Sequence, residues 1–334
     1  MNSSLITNSY EAKTLAQRLT KIVIYIPMNR VPIKDTLLVE HLKTLTPDVR
    51  DVYLLQNNTI RCTVIQGTEM INQMRSNHDL GILETLTLGQ AYLAGAILAS
   101  TVKGDDRVQL TIECAGPIKG LSVEAWAVGA IRGYLQEVPI EVTSPLESFD
   151  LSDFFGPGFL TVTKLLEGKK QPFTGQVMIQ YGSIAKDLAH YFLISEQTAT
   201  LITLSIKFDK EGRVIGGGAL FLQKLPGADD DTLEKLENVV EAMPSLGEYL
   251  STGKGGKDFV NEVFADFDPL YLNNLPLGFS CTCDRATFSQ YLSSLPKKEK
   301  DEILEEGPFP LTLHCFNCGS LYPFEKEELD TLLR

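Results

Sequence analysis

The chain has 334 residues, 43% hydrophobic and 22% charged, with 30 Lys and Arg against 43 Asp and Glu for a formal net charge of -13. This is the composition of a globular chain able to bury a large core and long enough for more than one unit, not of a disordered or disulfide-dense one. An acidic chain gains nothing from counterion release at phosphates, and no local basic patch is visible, so sequence-independent nucleic-acid binding is disfavoured.

Residues 10–19 read as an amphipathic stretch and 22–26 as an apolar run stopped by Pro27; with the rest of residues 1–47 they form an extension to which no role is assigned. Two β-rich runs at 52–55 and 59–65 flank the polar Asn57-Asn58 pair, a hairpin signal. A helix is expected over 68–74 with Thr68 as its cap, and a long helix over 81–100 whose apolar and small residues suggest burial on more than one side. Strands follow at 108–114, 121–128, 131–135, 159–165 and 176–180. A helix over 183–194 is capped by Ser183 with Asp187 in an early turn, and strands at 200–208 and 214–223 are joined by the Asp209-Lys210-Glu211-Gly212 turn. Beyond Pro226-Gly227, a turn-forming pair, helical segments are expected at 233–243, where Asp230, Thr232 or a neighbour is the cap, and at 246–250 and 258–264, with the Gly253-Lys254-Gly255-Gly256 stretch as a flexible hinge. The expected fold is α+β: a mainly antiparallel core domain over 48–227 with packing helices, a metastable helical linker over 228–268 and a small C-terminal unit over 269–334.

Charge and cysteines are unevenly placed along this plan. Residues 1–227 carry 22 acidic and 21 basic side chains, whereas 228–334 carry 21 and 9 and hold four of the six cysteines. No stretch reaches the roughly 18 uninterrupted apolar residues of a spanning helix, and residues 1–20 lack the pattern of a secretory signal, so a cytoplasmic protein is expected. In that reducing compartment clustered cysteines argue for metal or redox chemistry.

Cys281-Thr282-Cys283 and Cys315-Phe316-Asn317-Cys318 are short-spaced pairs separated by 31 residues. Each pair can put two sulfurs near one centre, and together they supply the thiolates of a closed tetrahedral site for one Zn2+ per chain. Gly319 permits the tight turn beside the ligands. A unit of about 65 residues with few large apolar side chains has a thin core, so the metal would supply much of its folding free energy, roughly 10 to 16 kcal/mol in zinc-finger peptides. A purely structural zinc ribbon is one reading of these pairs. The other is redox sensing, because the first pair is tighter than the usual C-x-x-C and every ligand is an oxidisable thiol.

The remaining candidates carry less. His314 adjoins Cys315 but is not needed as a ligand where four cysteines are available. Cys62 and Cys114 sit singly in β-patterned runs and read as buried small hydrophobes. His41, His78 and His190 have no partner at a recognisable spacing, so no Cys-His or Ser-His-Asp enzyme can be assembled. The run Gly216-Gly217-Gly218 opens a strand and does not follow a strand-to-helix turn, which argues against a phosphate loop. Lys297-Lys298-Glu299-Lys300 is mixed in sign and reads as a solvated helix face.

The cysteine pairs resemble those of the heat shock protein 33 family, the redox-regulated 33 kDa chaperonins. The similarity extends to Asn58-Thr59-Ile60-Arg61, Gly116-Pro117, Arg132-Gly133-Tyr134, the stretch from Asp187 to Phe192 with Ser195-Glu196-Gln197, and Gly217-Gly218 leading to Leu225-Pro226-Gly227-Ala228. It covers residues from about 48 to the end. The resemblance implies an ATP-independent holdase, not an enzyme, in which the reduced protein holds zinc on Cys281, Cys283, Cys315 and Cys318 and is inactive. It further implies that oxidation forms the disulfides Cys281-Cys283 and Cys315-Cys318, that zinc is lost, and that the linker and terminal unit unfold. The active form would then bind unfolding client proteins and form a homodimer. The apolar linker residues Leu233, Leu236, Val239, Val240, Met243, Leu246 and Leu250 are the candidates for client contact, or else pack as ordinary core. The competing reading is a constitutive zinc-ribbon module recruiting a protein or nucleic-acid partner. A metallo-hydrolase is disfavoured, since four thiolates leave no open position for water.

Overall fold

The computed structural model describes residues 29–142 and 148–334; the expectations at 10–19 and 22–26 lie outside them. In chain order come α1 (Thr36–Leu42), β1 (Val49–Leu55), β2 (Ile60–Gln66), α2 (Thr68–His78), α3 (Ile82–Ala99), β3 (Arg107–Cys114), β4 (Gly120–Trp126) and β5 (Ala130–Leu135). The short α4 (Ser152–Phe155), β6 (Gly158–Leu165), β7 (Phe173–Met178), α5 (Ile184–Ser195), β8 (Thr200–Phe208) and β9 (Val214–Lys224) follow. The last part contains α6 (Asp230–Ala242), α7 (Leu246–Ser251), α8 (Gly256–Val263), β10 (Leu270–Pro276) and β11 (Gly278–Phe279). It ends with α9 (Arg285–Ser294), α10 (Lys297–Glu306), β12 (Leu311–His314), β13 (Leu321–Phe324) and α11 (Lys326–Leu333). The α+β class expected from the sequence is the class observed.

Among the described residues the strands form a sheet of order β10-β1-β2-β9-β8, a second of order β11-β5-β4-β3-β6-β7, and the ribbon β12-β13. Every pairing is antiparallel except β11 with β5. The β1–β2 turn places Gln56, Asn57 and Asn58 at positive φ, a region asparagine tolerates better than most residues.

Helix α3 lies between the two large sheets. A Cβ at Gly89 would meet Ile206 of the first sheet at 2.7 Å, and one at Gly95 would meet Val123 of the second at 2.9 Å. Every residue from Leu83 to Ala99 except Gln90 is buried, which is why the helix shows no polar face. It is long and apolar enough to cross a membrane by length and composition, but 89% of it is buried inside the protein, as in a core helix.

Two local expectations failed because another carboxylate takes the donors at the helix start. Thr68 is the first residue of α2 rather than its cap, and its hydroxyl accepts the Gly217 N–H at 2.9 Å. The orphan donors at Glu69 and Met70 go instead to the Asp48 carboxylate, at 3.2 and 2.6 Å. At α5 the Ser183 side chain makes no cap bond; the Asp187 carboxylate accepts the N–H groups of Gln180, Tyr181 and Ser183. That bonding takes residues 180 and 181 out of strand pairing, so β7 lies earlier than expected. At α6 the cap is Asp229, the neighbour of Asp230 that the expectation allowed for, and it accepts the Thr232 N–H at 2.7 Å.

Helices α6 to α8 cover the outer face of the first sheet. Leu236, Leu246, Leu250, Phe259, Val260, Phe264 and Phe267 pack there on Tyr53, Leu55, Ile60, Cys62, Val64, Leu220 and Leu222. With both faces of that sheet covered, β2 and β9 read as almost continuous apolar runs rather than alternating ones. The glycines read as a hinge are part of this packing: the Gly256 N–H donates to Gln66 Oε1 at 2.7 Å, and Asp258 closes a turn back onto the Gly255 N–H at 3.0 Å. Residues 270–279, assigned by sequence to the terminal unit, are strands of the two core sheets. The separate small core begins at α9, where Leu292, Phe324, Leu329 and Leu333 cluster.

Candidate metal centre

Cys281 and Cys283 follow β11, which pairs with β5 and so ties the first knuckle to the second sheet. Cys315 and Cys318 lie on the turn between β12 and β13. That turn is closed by backbone bonds from the Cys318 and Gly319 N–H groups to the Cys315 carbonyl at 3.2 and 2.8 Å. Gly319 has φ +73°, and a Cβ there would stand 2.5 Å from the Asn77 carbonyl oxygen, so only glycine fits both the turn and its docking on α2.

The four Sγ atoms lie within 4.8 Å of one another. Cys281 and Cys315 are 3.8 Å apart and Cys283 and Cys318 3.3 Å. A tetrahedron of thiolates about 2.3 Å from one ion has edges of about 3.8 Å, so the donor set and its spacing fit a single tetrahedral metal ion. Cys281, Cys315 and Cys318 are buried; Cys283 is partly exposed.

The sulfurs are coupled. Hydrogen bonds from the Cys315 and Cys318 thiols hold Cys281 far below the ordinary thiol value, and the same contacts push Cys315 up strongly and Cys318 up to about 11. Four sulfurs this close cannot all be thiolates without a cation among them. Neighbouring donors contribute: Arg132 Nη1 approaches Cys281 Sγ at 3.6 Å while its guanidinium pairs with Glu124 at 2.7 Å. Asn29 Nδ2 donates to Cys283 Sγ at 3.0 Å, and the Tyr322 hydroxyl donates to the Cys283 carbonyl at 2.9 Å. Such contacts orient ligating sulfurs and tune their charge.

The centre is docked against the core domain. Asn77 Nδ2 bonds the Cys318 carbonyl at 2.9 Å, and the Phe316 ring lies 5.5 Å from that of Tyr134. His314 is outside the sulfur cluster, its ring 5.5 Å from Phe316. His78 lies beside the centre, and burial lowers its pKa, favouring the neutral ring. His41 Nε2 is 2.9 Å from the Ile215 carbonyl, and the His190 ring meets Tyr181 edge-on. Cys62 is buried under the linker, and burial pushes its thiol and that of Cys114 up. Sequence reasoning missed Asn29, Asn77, Arg132 and Tyr322, which bear on the centre only through folding; Arg132 alone stood in a motif that had been singled out.

The model of the Hsp33 protein family matches residues 48–325. The chain belongs to the Hsp33 family. Among its relatives, the 33 kDa chaperonin of Desulforamulus reducens is 32% identical over 268 residues, covering 80% of this chain and 90% of the relative. That of Syntrophotalea carbinolica is 33% identical over 281 residues, 83% and 96% of the two chains. The crystal structure of the 33 kDa chaperonin from Thermotoga maritima superposes with a TM-score of 0.77 at 27% identity, covering 86% of this chain and 98% of that one. Hsp33 membership supports a chaperone function, and the family is one of chaperones rather than enzymes.

Proposed function

We propose that this member of the Hsp33 family is an ATP-independent holdase of the cytoplasm, inactive while Cys281, Cys283, Cys315 and Cys318 hold zinc and active when they are oxidised. The observation that carries the reading is the all-thiol centre itself, because every donor in it can be converted to a non-ligand by two-electron chemistry. Bound zinc would neutralise the four thiolates and hold both knuckles together.

The oxidative step balances with a peroxide: two thiolates and two protons react with one hydrogen peroxide to give one disulfide and two waters. Formed within each short pair, as Cys281-Cys283 and Cys315-Cys318, the disulfides would remove all four donors. The knuckles then lack a common centre, and the small cluster around Leu292, Phe324, Leu329 and Leu333 is too thin to hold the unit alone.

The linker is supported as the second part of the switch by what it covers. Leu236, Leu246 and Leu250 are buried on the first sheet, and Val239, Val240 and Met243 are half-buried beside them. Leu233 lies apart, in a groove with Tyr181, His190 and Leu193 of the α5 region. Release of α6 to α8 would expose both their apolar side and the sheet face beneath, a surface suited to unfolding clients and to a second copy of the chain.

Zinc content, helicity and suppression of aggregation of a heated client, measured side by side in reduced and peroxide-treated protein, test the reading. Zinc loss, reduced helicity and gained suppression are expected together, accompanied by dimerisation in sedimentation, and all should fail in Cys315→Ser. Oxidised protein that keeps its zinc and its fold would overturn it.

A further inference from the structure

Residues 29–34 precede the 48–325 span that the family model matches, yet they bind the metal centre. Asn29 spans the first knuckle: its Nδ2 lies 2.5 Å from the Cys283 carbonyl, 3.0 Å from Cys283 Sγ and 3.0 Å from the Tyr322 hydroxyl. Its own carbonyl accepts from Asn77 Nδ2 at 2.7 Å, the same amide that bonds the Cys318 carbonyl. One asparagine pair therefore joins the incoming chain, helix α2 and both knuckles.

The following residues are fastened to the core. Val31 N–H donates to Asn77 Oδ1 at 3.2 Å, and the Val31 carbonyl accepts from Gln73 at 2.8 Å and from the Ser76 hydroxyl at 3.1 Å. Arg30 donates to the Phe279 carbonyl at 3.1 Å, two residues before Cys281. At the far end Asp35 caps α1 and pairs with Arg213 at 2.6 Å. This is a strap with bonds along its length, crossing the joint between the metal centre and α2.

Its position matters because Cys283 is the one cysteine of the cluster that is not fully buried. It is the least enclosed approach for an oxidant from solvent, and the Asn29 amide lies on its sulfur. An N–H donor on a ligating thiolate draws off electron density, which lowers its nucleophilicity and favours its retention as a ligand.

We propose that residues 29–34 are a strap that locks the metal centre in its ligated form, with Asn29 as the positioning residue that restrains Cys283. The regulatory part of this inference rests on the redox reading above. In that reading the Cys283 thiolate attacks the peroxide O–O bond, forming a sulfenic acid and releasing hydroxide. The Cys281 thiolate then displaces a second hydroxide to close the disulfide, so two electrons pass from sulfur to peroxide and two protons complete the two waters. Removal of the Asn29 donor should speed the first of these events.

Zinc release from the full-length zinc-loaded protein tests this in two arms, one with peroxide and one with a competing chelating dye and no oxidant. Asn29→Ala is expected to release zinc about two- to tenfold faster than wild type in both arms, the effect of one lost hydrogen bond. Asn29→Asp keeps the size but places a carboxylate against the sulfurs, and should be faster still; a purely packing role would leave it near wild type. Release rates equal to wild type in Asn29→Ala and Asn29→Asp overturn the strap. Wild-type protein that keeps zinc under peroxide overturns the redox reading instead, while the dye arm still decides the strap.

Discussion

The docking of the linker turns on Gly216. A Cβ at this position in β9 would stand 1.9 Å from the carbonyl oxygen of Gly247 in α7 and 3.0 Å from Ser251 Cβ, whereas real Cβ contacts essentially never fall below 3.0 Å. The clash in Gly216→Ala exceeds 1 Å and meets backbone, so no rotamer relieves it and α7 must lift. Leu246 and Leu250 lift with it, and these side chains, 1% and 3% exposed, fill the space over the neighbouring Gly218. Overpacking of this kind costs about 1–3 kcal/mol. Alanine also narrows the unfolded ensemble, but the sheet stays folded whether or not the linker is docked, so that gain does not offset the clash. At a factor of ten per 1.4 kcal/mol, the undocked population should rise about 5- to 150-fold. Hydrogen exchange of the α7 and α8 amides in reduced, zinc-loaded protein reads that population, and a client-aggregation assay without oxidant should show partial activity. Gly217→Ala is the control, because the one close contact of its Cβ is the tip of the Ile71 side chain, 2.6 Å away on the opposite face of the sheet, with the nearest backbone at an ordinary 3.6 Å. Wild-type exchange of α7 in Gly216→Ala, or equal acceleration in Gly217→Ala, would refute the reasoning.

Chelation of the metal should unfold α9 to α11 while α3 and the two large sheets persist, read as lost helicity with retained exchange protection at 82–99; the expected loss is about 10 kcal/mol or more of binding-coupled folding. Gly319→Ala forces an alanine to φ +73° against the Asn77 carbonyl and should weaken zinc affinity about tenfold or more in competition with a chelating dye. Burial alone would raise the Glu196 pKa, but the Lys164 ammonium at 2.5 Å and the Tyr191 hydroxyl at 2.8 Å hold it below its ordinary value of 4.5. The lowered value means the charged carboxylate stabilises the fold above about pH 4.5 and loses that contribution as pH falls through the native pKa. Wild type and Glu196→Gln should therefore differ by about 1 kcal/mol in urea titrations at neutral pH and converge in acid. Cys62, with its thiol pushed up by burial, should resist alkylation in the native reduced protein and react only after denaturation.

Much of the fold was legible because its signals are local. The β1–β2 hairpin was marked by apolar runs around two asparagines, α3 by its length and small residues, and the β8–β9 turn by its polar tetrapeptide. The caps of α2 and α5 were misread for the converse reason: Asp48 reaches α2 across 20 or more residues, and Asp187 outcompetes the serine at the expected cap. Residues 270–279 were misplaced because an exposed edge strand carries no pattern that names its partner. The Gly216-Gly217-Gly218 run lies in a strand, as its pattern suggested, but its use, close approach of α7, depends on a helix some thirty residues later.

The sequence by itself picked out the four cysteines that cluster, since two short-spaced pairs of thiols each bring two sulfurs together locally, and it placed the acidic, cysteine-bearing third as a unit apart in composition. Only the tertiary structure decided what that unit touches. Arg132 and Asn29 reach the sulfurs from β5 and from the segment ahead of α1, Asn77 reaches the Cys318 carbonyl from α2, and the linker's apolar side became a cover because β1, β2 and β9 present it with a matching face. The pairing of the cysteines is a property of short-range spacing, whereas the groups that hold them lie 149 to 254 residues away, which sequence order does not encode.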